Sequence, residues 1–209
     1  MSGPTDSPTQ APPDAPVNAP ADAGLIETRI ESRQVFAGRL LDVRLDHVRL
    51  PSGSVATREY VVHPGAAMIV PLHADGTVTM VRQFRYPLNR VFLEFPAGKR
   101  DPGEPTLLTA QRELAEEVGL AAAQWSQLTV IHNAIAYSDE AIELFLAEEL
   151  SAVPQQLDEE EFLDVVRLPL DEVVAQVVRG ELTDVKTLIG ALAAQQVLAG
   201  TWPRKLHPV

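Results

Sequence analysis

Residues 98–120 read GKRDPGEPTLLTAQRELAEEVGL, and the rest of the chain is arranged around this stretch. Its fixed points are Gly98, Glu104, Arg112-Glu113-Leu114, Glu116-Glu117 and Gly119-Leu120. Asp101-Pro102-Gly103-Glu104 is turn chemistry. A helix is therefore expected from Pro105 or Thr106, since proline is tolerated in a first turn, and Gly119 is a natural stop. On that helix Leu107, Ala110, Gln111, Leu114 and Val118 trace an inner face, while Arg112, Glu113, Glu116 and Glu117 project elsewhere. Glu113 and Glu117, four apart, share a face, and Glu116 borders it. Like charges at that spacing repel. A cation among them relieves the repulsion, and hard divalent ions such as Mg²⁺ take carboxylate oxygens as ligands.

Upstream of this stretch, Val91 to Phe95 reads as a short strand leading into a tight Pro96-Ala97-Gly98 turn. Ala66 to Leu72 is an apolar run, so a buried strand. Ala74-Asp75-Gly76 is expected to make a hairpin turn to a return strand over Thr77–Phe84, and Pro87–Arg90 reads as a loop. Residues 25–63 alternate apolar and polar side chains, with turns at Gly38 and at Pro51–Ser54. They predict a three-stranded antiparallel meander, which is too small to be stable alone. Residues 1–24, with six prolines among Ala, Ser, Thr and Asp, predict a disordered tail.

Downstream, Trp125–Ala136 is strand-like but irregular, Tyr137–Glu140 a loop and Ala141–Ala147 a strand. Residues 148–161 are polar and acidic, ending in Asp158-Glu159-Glu160-Glu161. Phe162–Leu168 is a last strand. Pro169 opens a helix with Leu170, Val173, Val174, Val177 and Val178 on its apolar face, stopped by Gly180. Asp184–Leu198 is the final helix, with Leu188, Ile189, Leu192, Ala193 and Gln196 on its period. The last residues, 201–209, carry no signal.

The composition excludes several classes. The 209 residues suit one domain plus an appendage, and 45% hydrophobic content supports a core. A net charge of −12 without any Lys/Arg cluster argues against binding nucleic acid or an anionic membrane. It is compatible with a small phosphorylated substrate whose charge a metal neutralises. Without cysteine there is no disulfide, thiolate or Cys-ligated metal chemistry. No apolar run reaches membrane-helix length and no signal peptide is present, so a cytoplasmic location is expected. No P-loop is present, and the five histidines lack metal-ligand spacing.

Residues 98–120 match G-x5-E-x7-R-E-U-x-E-E-x-G-U (U, bulky aliphatic) at every fixed position, and in this the sequence resembles the Nudix hydrolases. The resemblance covers roughly residues 25–200. It implies an α/β fold: a Nudix α/β/α sandwich with a mixed sheet over residues 64–209, preceded by the antiparallel β-meander of 25–63. It also implies hydrolysis of a nucleoside diphosphate linked to another moiety, using Mg²⁺ or alternatively Mn²⁺. By the same resemblance Glu113 and Glu117 are direct metal ligands, Glu116 assists, and the Ala97 backbone carbonyl completes the shell. Arg112 would hold the glutamates in place and Glu104 would stabilise the loop.

Further residues resemble the ADP-ribose pyrophosphatase group: Arg58-Glu59 ahead of His63-Pro64-Gly65-Ala66, Val81-Arg82-Gln83-Phe84-Arg85, and Glu94-Phe95-Pro96-Ala97-Gly98. That group is homodimeric through its amino-terminal β region. Arg85 would contact substrate phosphates or ribose, and Arg58 would reach the partner's site. Glu94 would bond the adenine or support the turn, and the loop ending in Glu140 would touch substrate. Glu161 aligns best with the general base, with Glu160 and Glu159 as alternatives. One departure stands out: Ala134-Ile135-Ala136 occupies positions where the group commonly has Ser-Pro-Gly. The expectation is cleavage of ADP-ribose to AMP and ribose 5-phosphate. GDP-mannose or another nucleotide sugar is the alternative, and a non-catalytic ligand sensor a third reading.

Overall fold

The structure is a computed structural model that describes residues 22–157 and 159–207. Most of the expected tail and Asp158 of the acidic run lie outside the described residues. Chain contacts divide the protein at Glu59/Tyr60, and the two parts are taken separately.

The amino-terminal part is built on a sheet of three strands in the order β1 (Thr28–Ala37), β2 (Asp42–Arg49) and β3 (Val55–Val62). The meander forms where the alternation predicted it. The β2–β3 turn closes by Leu50 and Ser54 backbone bonding, with Gly53 at φ 87° supplying the left-handed residue that the turn requires. All of β1 is exposed, including Ile30, Val35 and Phe36.

In the larger part, β4 (Ala66–Pro71) is buried at every residue. It pairs in parallel with β9 (Ile142–Ala152) on one edge and antiparallel with β7 (Ala97–Lys99) on the other. With β8 (Leu120–Ile131) and β11 (Lys205–His207) they make a mixed five-stranded sheet, β11-β8-β9-β4-β7. A second, antiparallel sheet holds β10 (Leu163–Pro169), β5 (Thr77–Arg85) and β6 (Arg90–Glu94) in that order. Side chains alternate along β4. Ala67 and Ile69 pack against α1 (Thr106–Val118) through Ala110, Leu114 and Val118. Met68 and Val70 face the side of α2 (Leu170–Val178) and α3 (Val185–Leu198). Helices on both faces of a mixed sheet give the expected α/β/α sandwich.

Several expectations are corrected. The turn at Ala74–Gly76 forms, but after one bridge, Leu72 to Val78, β4 and β5 part into different sheets. Both edges of β4 are already taken by β7 and β9, which leaves no edge for a hairpin partner. Strand β8 starts directly after Gly119 and stops at Ile131, and β9 runs through Ala152, absorbing residues 148–152 of the expected polar loop. The pairing of β8 with β9 continues to Leu120–Ala152, so backbone bonding outweighs the polar side chains there. Val178 is exposed, because α2 ends at that residue. The carboxyl-terminal segment is not featureless. Strand β11 pairs with β8, and the Trp202 indole donates to the Leu128 carbonyl at 3.2 Å.

In α3 the buried residues are Lys186, Thr187, Gly190, Ala191, Ala193 and Ala194, while Leu192 and Gln196 face out. The helix buries its small residues because it lies close on β4. A Cβ on Gly190 would stand 2.5 Å from Met68 Cε and 3.1 Å from Val70 Cγ2. Gly190→Val is expected to destabilise the fold by about 1–3 kcal/mol through overpacking, read as a lower midpoint in urea with an unchanged slope. An unchanged midpoint would show that the close approach is not rigid.

Candidate active site

Strand β7, helix α1, the segment from 153 to 161, the start of α3, strands β5 and β6 and the loop between β8 and β9 build the site. Strand β7 and α1 bring the first set of groups. Gly98 lies directly under the Glu113 carboxylate: a Cβ at residue 98 would fall 1.9 Å from Glu113 Oε1. Next to it the Ala97 backbone N–H donates to Glu117 Oε2 at 3.1 Å. Glu113 and Glu117 are only 8% and 3% exposed. This corrects the helical reading. These carboxylates are on the buried side of α1, whereas Leu107 and Gln111 are only partly buried.

Arg112 organises the same helix. Its Nη1 donates to Glu113 Oε1 at 2.7 Å and to Glu116 Oε2 at 3.0 Å. Its other edge donates to Glu104 at 3.1 and 3.3 Å and to the Lys99 carbonyl at 3.1 Å. Glu104 in turn accepts from Thr109 Oγ1 and the Asp101 N–H. Arg112 and these donors hold the Glu104 carboxyl down at about 2.

The carboxyl-terminal end of α1 positions the third segment. Its free carbonyls are capped from residues 153–156: Val153 N–H donates to the Gly119 carbonyl, Gln156 N–H to that of Glu116 and the Gln155 side chain to that of Glu117. The chain then reaches Glu161, whose charge raises the pKa of both Glu113 and Glu117. Burial is the larger cause in each case. Burial and the Glu116 and Glu161 charges, against the pull of Arg112, push Glu113 up to about 7. Burial and the Glu113 charge push Glu117 up to about 8.

The fourth segment is the start of α3. Arg85, the last residue of β5, and Glu94, the last of β6, form a bidentate pair, Nε and Nη2 each 2.8 Å from a Glu94 oxygen. Glu94 is 2% exposed and also accepts from Lys186 Nζ. Burial alone would raise the Glu94 pKa, but the two cations outweigh it and hold it low. Beside these groups is a cavity of about 220 Å³ lined by Arg85, Ala97, Gly98, Asn133, Glu140 and Lys186, among others. Glu140 accepts from Asn133 Nδ2 at 3.2 Å and faces His63 Nε2 at 3.6 Å. The Gly65 N–H donates to His63 Nδ1, which leaves Nε2 to carry the ring proton toward Glu140.

The structure thus brings together Arg85, Glu94, Ala97, Arg112, Glu113, Glu116, Glu117, Glu140 and Glu161. Arg58 belongs to the amino-terminal part, where it pairs with Glu27 and donates to the Thr57 carbonyl. Ile135 and Tyr137, in the departing loop, are 83% and 63% exposed. Asp184, Lys186 and Asn133 were missed by sequence reasoning. The one available signal was Asp184 three residues before Thr187, an N-cap pattern. A groove of about 370 Å³ flanks Glu161 between Phe84, Val91 and Phe162. A further depression, of about 740 Å³, lies at the β4–β5 turn around His73, Asp75 and Arg167 and is lined by none of these groups.

The residues present suit a divalent cation. Two buried carboxylates stand together with raised pKa values, their side-chain ligand atoms are hard oxygens, and the missing Cβ of Gly98 makes room for Glu113. Arg112 occupies the space between Glu113 and Glu116, and among the described residues no three acidic or histidine side chains close on one centre.

Residues 62–187 match the NUDIX domain and residues 27–61 the nucleoside diphosphate sugar hydrolase N-terminal domain. The chain belongs to the Nudix hydrolase family, whose members work with divalent metal cations. It is 39% identical over 165 residues to the ADP-ribose pyrophosphatase of Bacillus subtilis, covering 78% of this chain and 89% of that protein. It is 39% identical over 181 residues to the ADP-ribose pyrophosphatase of Mycobacterium tuberculosis, covering 85% and 87%. A solved structure, the crystal structure of an ADP compounds hydrolase, matches with a TM-score of 0.75 and 26% identity, over 83% of this chain and 95% of that one. No helix among the described residues is long and apolar enough to cross a membrane.

Proposed function

We propose that this chain is a cytoplasmic, homodimeric, Mg²⁺-dependent pyrophosphatase that hydrolyses ADP-ribose to AMP and ribose 5-phosphate. The observation that carries the chemistry is the buried Glu113–Glu117 pair against Gly98, with the charge of Glu161 acting on both. The substrate reading is supported by the similarity to two ADP-ribose pyrophosphatases.

Glu113, Glu117 and Glu116, with the Ala97 carbonyl, would hold the metal. Bound Mg²⁺ supplies charge shielding and Lewis acidity at the diphosphate. Arg112 orients the Glu113 and Glu116 carboxylates. Glu161 takes the proton of the attacking water. The water oxygen forms a new bond to one phosphorus, the bond from that phosphorus to the bridging oxygen breaks, and the bridging oxygen leaves with the other phosphate, so each product carries a phosphate monoester. Glu94 binds both Nε and Nη2 of Arg85, so the Nη1 side of the guanidinium is left to a phosphate. Glu140 and Asn133 line the same cavity, where a ribose hydroxyl can donate to the carboxylate. Arg58 would serve the partner's site.

Ala134-Ile135-Ala136 favours a second reading, GDP-mannose or another nucleotide sugar. A panel of nucleoside diphosphate sugars assayed with Mg²⁺ and with EDTA decides. We expect kcat/KM for ADP-ribose to exceed that for GDP-mannose by about tenfold or more, a discrimination of about 1.4 kcal/mol. EDTA should abolish turnover. Preference for GDP-mannose overturns the substrate, and full activity in EDTA overturns the metal.

A further inference from the structure

We infer that Lys186, at the start of α3, is a positioning residue that sets how strongly Arg85 binds the substrate's diphosphate. The inference rests on the proposed reaction and concerns a residue that the reaction itself does not use.

Lys186 is 9% exposed, unusual for a lysine, and needs partners that repay its burial. It has two. Its Nζ donates to Glu94 Oε2 and, at 2.9 Å, to Asp184 Oδ2. Asp184 is fixed in turn. It accepts the Thr187 N–H at 3.1 Å and the Thr187 hydroxyl at 2.6 Å as N-cap of a fourteen-residue helix. Thr187 Oγ1 accepts the Phe95 N–H at 3.2 Å, tying the same helical turn to the segment that leads into Ala97 and Gly98. The charges alternate along the chain of contacts: Asp184, Lys186, Glu94, Arg85.

The alternation has a consequence at the cavity. Glu94 alone, buried and bidentate on Arg85, would cancel the guanidinium charge that a phosphate needs. Lys186 shares the Glu94 charge. The Asp184 charge is partly met by the positive end of α3. The four side chains sum to zero with Lys186 present and to one net negative charge without it, and the Asp184 and Glu117 charges also reach Arg85. Lys186 therefore keeps the guanidinium attractive to a phosphate at its Nη1, which has no hydrogen-bond partner among the described residues. Glu94 also cannot rotate away while Lys186 holds its second oxygen, so the free side of Arg85 keeps one direction. Both effects act on binding of the diphosphate and leave Glu113, Glu117 and Glu161 in place.

The test compares Lys186→Met, Lys186→Arg, Glu94→Gln and the double variant Glu94→Gln/Lys186→Met, with binding read by calorimetry in Mg²⁺. The probe is the α,β-methylene analogue of ADP-ribose, or of whichever diphosphate wins the panel above. The panel judges the substrate, and the variant-to-wild-type ratio judges this inference, so the two fail separately. We expect Lys186→Met to weaken binding about tenfold and to raise KM by more than it lowers kcat. Lys186→Arg should restore most of the affinity. In the Glu94→Gln background, Lys186→Met should change binding less than twofold, because Lys186 acts only through Glu94. That pair leaves no lone buried charge, so the comparison stands even where Lys186→Met alone does not fold. Wild-type affinity in Lys186→Met overturns the inference. So does a further tenfold loss in the Glu94→Gln background, which would place Lys186 on the substrate itself.

Discussion

Glu117→Gln is expected to lower turnover by about a thousandfold or more, the loss of about 4 kcal/mol of transition-state stabilisation, and yet to make the metal-free protein more stable at pH 8. The two effects share one cause. Glu117 is 3% exposed, and burial and the Glu113 charge raise its pKa from 4.5 to about 8. A carboxyl whose pKa is raised in the folded state destabilises the fold at high pH. Stability is greatest below 4.5 and is lost as pH rises toward 8. Glutamine carries no such charge, and its amide oxygen can keep the Ala97 N–H bond. Melts in EDTA should coincide near pH 4.5 and separate by a few degrees by pH 8, the scale of roughly 1–2 kcal/mol in a domain of this size. Added Mg²⁺ should reverse the order, raising the wild-type midpoint and leaving the variant where it was. Near-normal activity in the variant would remove Glu117 from the metal site. A variant less stable than wild type at pH 8 in EDTA would remove the electrostatic account.

How much of this was legible depends on the range over which each feature is decided. The box, its turn, its helix start and the Gly119 stop are local, and their signals are complete within 23 residues. The strands of the meander are equally local, since alternation with period two needs only the neighbours. Which face of α1 is buried was not legible. A pattern reading puts Leu and Ala inside and charges outside, yet Glu113 and Glu117 are buried because β7 passes over them at a glycine. In α3 the period placed Ala193 correctly inside and Leu188 and Ile189 against the core, but Leu192 and Gln196 face out, because the middle of the helix lies so close to β4 that Gly190, Ala191 and Ala194 take the buried places there. Lys186 reads as a surface cation until Glu94, 92 residues away, is placed beside it. Strand β11 looked like a free end because its pairing partner, β8, is 80 residues earlier. The fold class was thus carried by local chemistry, while the closest contacts of the site come from long-range packing.

Gly98→Ala tests the closest of these contacts without touching a single acid. Gly98 has no positive φ, so alanine fits its backbone, and only the added methyl matters. That methyl would fall 1.9 Å from Glu113 Oε1 and 2.0 Å from its Cδ. One of two groups must yield. The strand is held: Gly98 stands opposite Ala67 in the β4–β7 pairing, and the Ala97 N–H is bonded to Glu117. The Glu113 side chain is the freer partner, tied by one bond to Arg112. It is therefore expected to swing out, taking its oxygens from beside Glu117. Turnover should fall about a hundredfold, a loss of about 2.7 kcal/mol. The Mg²⁺ concentration for half-maximal rate should rise at least tenfold, with partial recovery at high metal. The fold itself should lose little, because the displaced carboxylate regains water and its pKa drops from about 7 toward the ordinary range. Loss of stability together with activity would mean that the strand, not Glu113, moved. Wild-type turnover with unchanged metal dependence would mean that Glu113 does not need to lie over Gly98, and the assignment of these carboxylates to the metal would fall with it.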